Sequence, residues 1–225
     1  MTHLVVVEAT KLIQSGDIVR AEAVLTALVE TEGDHALIEV LDDIPSKDLL
    51  AVIREYDSSK QSLLSLLITP EQFARVVVLE RLYKDMSHEQ LRGMINAVIF
   101  REDADANEFI AAIAELEFGY ETLADYLSDR AEEVVGETFS ALETDDISRS
   151  EISDHDWKEL TWLLRHEHSD IYNIVLVLLK AKLQERIIPE VVIVGENEDE
   201  VIESVITEEK TPKEEKDEEE EDSAI

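Results

Sequence analysis

The sequence predicts an all-α fold: an irregular superhelix or solenoid-like bundle of short antiparallel helices, followed by a disordered acidic tail. Three observations carry that prediction. Glycine and proline number only 6 and 4 in 225 residues, fewer turn formers than an all-β fold usually needs. Apolar residues recur at spacings of three and four along most of the chain, the period of one buried helix face. At Thr69-Pro70-Glu71-Gln72 and Ser87-His88-Glu89-Gln90 a polar cap precedes Glu or Gln by three residues, the pattern of a capping box.

Taken in order, residues 3–14 place Leu4, Val5, Val7, Leu12 and Ile13 on a first helix, broken at Ser15-Gly16-Asp17. A second helix follows through Ile18, Ala21, Val24, Leu25 and Leu28. Gly16-Asp17-Ile18 with Ala21 resembles the turn of a tetratricopeptide-type hairpin, in a single copy. Gly33-Asp34 opens a stripe of Leu37, Ile38, Val40 and Leu41 that stops at Ile44-Pro45. Ser46 is the expected cap of the next helix, with Leu49, Leu50, Val52 and Ile53 buried. Leu63 to Ile68 reads as a short, almost wholly buried helix.

The two capping-box helices carry Phe73, Val76, Val77, Leu79 and Leu82, then Leu91, Met94, Ile95, Val98 and Ile99. Val76-Val77-Val78 is β-branched, but the cap before it and Glu80-Arg81 after it favour helix. Further helices are expected at about 104–116, 120–128 and 130–142. The polar stretch 143–154 reads as an acidic surface loop and subdomain boundary. A C-terminal helical pair is expected over 155–188. Its first helix has Trp157, Leu160, Leu163 and Leu164; its second has Ile171, Ile174, Val175, Leu178, Leu179 and Leu183, with Ser169 as cap. The organisation is therefore a hairpin (1–32) and repeats (33–142), a loop (143–154), the helical pair (155–188), and a β-prone run with an acidic tail (189–225).

The formal net charge is −34. From Glu196 onward 15 acids face three lysines, so most of the excess belongs to the body. Such a field repels nucleic-acid phosphates and anionic membranes and favours a protein partner with a basic surface. With no cysteine, disulfides, zinc–thiolate sites and thiol catalysis are excluded. No apolar run approaches the about 20 residues of a membrane span, and the N-terminus has no basic region ahead of an apolar stretch. A soluble, cytoplasmic protein is the expectation.

No catalytic motif emerges. Six dispersed glycines build neither a phosphate loop nor a nucleophile elbow, and no carboxylate pair stands out among 54 acids. No enzyme activity and no cofactor is expected. His155 and His166-Glu167-His168 are the nearest approach to a metal-ligating set, but residues two apart on a helix point in different directions. Asp42-Asp43, Asp103 with Asp105, and Asp145-Asp146 suit weak Mg²⁺ or Ca²⁺ association.

Partner-binding candidates are Trp157 and Trp162, five apart and so on different helix faces. One of them is expected to align with Leu160 and Leu164 in the core; the other is either partly exposed, as a partner anchor, or buried as well. Val191, Val192, Ile193 and Val194 form a β-prone run that either lies on the helical body or adds a strand to a partner's sheet.

Residues 36–116 carry a family resemblance. Leu37-Ile38-Glu39-Val40-Leu41-Asp42-Asp43-Ile44-Pro45-Ser46-Lys47-Asp48-Leu49-Leu50 resembles the helical repeats in the cytosolic N-domain of MgtE-type magnesium transporters, as do Thr69-Pro70-Glu71-Gln72-Phe73 and Met86-Ser87-His88-Glu89-Gln90-Leu91. A related, uncharacterised bacterial helical-repeat family is similar too. The resemblance implies a superhelix and an ion-sensing role, and it transfers no site residue. The leading expectation is a protein-interaction or scaffold module. Two alternatives stand beside it: a divalent-cation-responsive regulatory module, and an acidic mimic or chaperone that binds a basic protein.

Overall fold

The computed structural model describes residues 3–56, 62–83, 88–101, 103–136 and 157–187. The chain divides into two units, Met1–Ile188 and Pro189–Ile225, and every described residue lies in the first. Among the described residues all regular structure is helical.

The opening hairpin consists of α1 (Leu4–Gln14) and α2 (Ile18–Glu32). Gly16 turns the chain at φ +84°, a conformation that glycine adopts without a Cβ clash. Asp17 then caps α2 by accepting the Arg20 backbone N–H at 3.3 Å. Gly33, at φ +88°, ends α2 and starts α3 (Asp34–Asp43). After Pro45 comes α4 (Ser46–Glu55). Ser46 is its first residue and makes no capping bond, because Pro45, already extended, occupies the cap position.

A short α5 (Leu63–Leu67) is capped by Ser62. Only Leu64 and Ser65 are buried within it and Leu66 is exposed, so it is less enclosed than its composition suggests. The longer α6 (Pro70–Leu82) begins with a complete capping box. Thr69 accepts the Gln72 backbone N–H at 3.3 Å, and Gln72 Oε1 accepts the Thr69 N–H at 3.1 Å. The Gln72 amide also donates to the Ile38 carbonyl at 2.9 Å, which ties the start of α6 to α3. Thr69→Ala should therefore lower stability by about 1 kcal/mol in chemical denaturation; an unchanged midpoint would show that the box is dispensable.

The capping residue of the second expected box lies outside the described residues. α7 (Glu89–Val98) is preceded by His88 in the left-handed region at φ +50°, with no side-chain cap; Ser87 lies outside the described residues. α8 (Ala106–Ala114) is capped by Asp105. α9 (Gly119–Leu127) continues through a 3-10 turn at Ser128–Arg130 into α10 (Ala131–Val135), the first part of the helix expected over 130–142, whose residues 137–142 lie outside the described residues. The loop at 143–154 lies outside the described residues. The C-terminal pair is α11 (Trp157–His166) and α12 (Ser169–Ile187), and Ser169 is the first residue of α12.

Packing follows the logic of a solenoid. Helices two apart stack on one another: α2 on α4, α4 on α6, and α6 on α8 form one layer, while α1, α3, α5 and α7 form the other. Each apolar stripe is thus covered by near neighbours in sequence, as stacked helical repeats require. Phe73 on α6 meets Phe109 on α8 edge to face, with centroids 5.7 Å apart. Val76, Val77 and Val78 are all buried here, in helix. The chain then returns: α12 packs against α9, α10 and α11.

Buried charges stitch these layers. Glu80 on α6 is 2% exposed and receives Arg54 of α4 in a two-pronged bond, Nε at 2.5 Å and Nη2 at 2.7 Å. Arg54 also lies over the Tyr83 ring at 4.9 Å.

Candidate interaction surface

Large apolar side chains are exposed on the opening hairpin, at Leu4, Val7 and Val19, and on the C-terminal helical pair. The inner side of α12 carries Ile171, Val175 and Leu179, spaced four apart and buried. Lys182 follows on the same side and reaches Asp125 of α9 at 2.6 Å. Asp125 also receives Arg81 of α6 at 2.6 Å, so one carboxylate that is 3% exposed joins three helices. At the start of α12, His168 Nε2 lies 3.1 Å from Asn107 Oδ1 of α8. Burial pushes the Tyr172 phenol up, against a smaller opposing influence of Arg165.

The outer side of α12 is a different matter. Ile174 is 41% exposed and Val177 is 66% exposed. Ala181 and Gln184, also exposed, continue the same stripe at spacings of three, four and three. Apolar residues therefore ring this helix almost completely, a composition usual for helices covered on every side. The sequence reading placed both Ile174 and Val175 on the apolar stripe; Val175 is buried and Ile174 is turned outward. Val177 was not singled out at all. The available signal was the excess of apolar positions, more than one face can use.

Trp157 and Trp162 are both half-buried at the edge of the core. Trp157 does not join Leu160 and Leu164 in the fully buried line, although its position on the helix allows it. Trp162 is shielded on one side by His166, one turn on, with ring centroids 4.7 Å apart. His155 and the run Val191 to Val194 lie outside the described residues. Among the described residues no three His, Asp or Glu side chains gather into a metal-ligating group, and no helix is long and apolar enough to cross a membrane.

Charge is distributed unevenly. Six arginines of the body, Arg54, Arg75, Arg81, Arg92, Arg101 and Arg130, each pair with a carboxylate of the same chain. Arg101 additionally donates to the Ser65 carbonyl and lies over Phe109 at 5.3 Å. Cations are thus largely spent on internal contacts. Only α11 and α12 carry more basic than acidic residues within their own spans.

Comparison with known proteins yields no matching family model, no matching curated protein and no matching solved structure. The resemblance of residues 36–116 to MgtE-type N-domains rests on its sequence motifs alone.

Proposed function

We propose that this chain is a non-enzymatic protein-interaction module whose contact surface is the outer face of α12. The observation that carries the reading is the Ile174–Val177–Ala181–Gln184 stripe, left open on a helix whose opposite side is fully engaged with the body. Three apolar residues in this spacing, with polar Gln184 at the end, fit a partner helix laid along them. Binding through it should survive raised salt, since apolar contact is not screened.

The test compares capture of partners from native lysate by the full chain and by its I174D/V177D variant, at low and high salt, with helicity checked by circular dichroism. Loss of salt-resistant capture in a folded variant supports the reading. Equal capture by both proteins sinks it.

The pairing of the body's arginines favours a second reading. With those cations engaged internally, the acidic excess faces outward without local compensation, as a protein that occupies a basic, nucleic-acid-binding partner requires. That reading predicts binding to a basic protein that collapses with salt and is indifferent to I174D/V177D.

A further inference from the structure

We infer that α12 pairs side by side, in parallel, with α12 of a second copy of this chain. The inference rests on the reading of the outer face of α12 as a contact surface and names its occupant.

Ile174, Val177, Ala181 and Gln184 stand at the spacing of the two seam positions in a coiled-coil heptad. With Ile174 and Ala181 as the first seam position and Val177 and Gln184 as the second, the flanking positions are set by geometry. Lys180 immediately precedes a seam residue on one flank. Glu185 immediately follows a seam residue on the other, five residues along. In a parallel two-stranded contact these two flanks face each other across the seam, offset by that interval. Lys180 of one copy then meets Glu185 of the partner, and the two-fold axis makes the pair twice. An antiparallel contact sets like flanks against each other and loses both pairs.

Within the chain, neither Lys180 nor Glu185 forms an ion pair among the described residues. Both are exposed, as are all four seam residues. The side of α12 that carries Val175, Leu179 and Lys182 faces its own body, and Ile171 and Leu178, on the flank of Glu185, pack against it too, so the body borders that flank and leaves the Lys180 flank open. α12 has three basic residues and two acidic ones in a chain of net charge −34, so the helix itself adds little repulsion to the contact, while the acidic stretch that follows it opposes a parallel pairing. Repulsion between the remaining surfaces and the short seam together predict a weak, reversible dimer.

The experiment is sedimentation equilibrium of the full chain at physiological ionic strength, from micromolar to near-millimolar concentration. The wild type should show a concentration-dependent dimer. Val177→Asp should be monomeric throughout. Lys180→Glu and Glu185→Lys, each of which removes two symmetric pairs and adds like-charge contacts, should each weaken dimerisation about tenfold. The K180E/E185K double variant should recover it. A wild type that is monomeric at every concentration overturns the inference. So does a dimer indifferent to V177D, or a charge swap that fails to restore association. If the wild type is monomeric yet I174D/V177D still abolishes capture from lysate, the second copy is ruled out as occupant while the interaction surface stands.

Discussion

Asp125→Ala is expected to lower the stability of the body by about 3 kcal/mol, the lower part of the range for breaking a buried ion pair by removing one partner. Asp125 is 3% exposed and holds Arg81 and Lys182, each at 2.6 Å. Its removal leaves two cations facing a site built for a carboxylate. Both are partly exposed and can turn toward water, which keeps the loss from reaching the top of the range. At about 2–4 °C per kcal/mol for a chain of this size, the melting temperature should fall by about 6–12 °C. Amide exchange should also accelerate most in α12, because Lys182 is that helix's charged tie to α9. A loss below about 1 kcal/mol would place these pairs with ordinary surface salt bridges and refute the account.

A comparable effect is expected at a residue with no charge. A Cβ added to Gly119 would lie 1.8 Å from the Ile113 carbonyl oxygen and 2.8 Å from its carbon. Those atoms are backbone at the end of α8, so no side chain can swing aside. Phe118, just before, is already held at φ +67°, which fixes the direction from which α9 starts. Gly119→Ala must push α9 away from α8, and about 3 kcal/mol of destabilisation is expected from overpacking of this kind. Gly93 supplies the matched control. It lies inside α7 with open space around its missing Cβ, so Gly93→Ala should stabilise by about 0.5–1 kcal/mol. Two glycine-to-alanine changes should thus move the denaturation midpoint in opposite directions. The same sign for both would show that the close crossing of α8 and α9 is not what Gly119 serves.

How far the structure was legible in the sequence depends on the range of the interaction. The turn at Gly16, the break at Ile44-Pro45 and the capping box at Thr69 are local, and their residues act on neighbours three or four positions away. All three are observed. The expected caps at Ser46 and Ser169 fail by one position, as helix boundaries often do. The box expected at Ser87 lies partly outside the described residues, and His88, which enters α7 from a left-handed conformation, makes no side-chain cap. Glu80 and Asp125 were not legible as buried residues. Among 54 acids they look like solvated charge, and their partners Arg54 and Arg81 lie 26 and 44 positions away. The outer stripe of α12 failed for another reason. A helix with apolar residues around its circumference has no unique inward direction until its neighbours are known, so Ile174 and Val175 could not be ranked from periodicity.

The solenoid layers and the late return of α12 bear on how the chain is made. Helices α1 to α8 find their principal partners within the part of the chain already synthesised once Leu127 has emerged. Ser169, the first residue of α12, lies 42 positions later, which at ordinary elongation rates is a delay of about 2–8 s. Through that interval Arg81 alone answers Asp125, and the surfaces of α9 and α10 that α12 will cover face water. Nascent chains on neighbouring ribosomes expose the same surfaces, and a newly released α12 is apolar enough to settle on any of them. The second cation on Asp125 then sets the register, whichever copy supplies it: only an α12 that brings Lys182 to that carboxylate satisfies both the apolar contact and the charge.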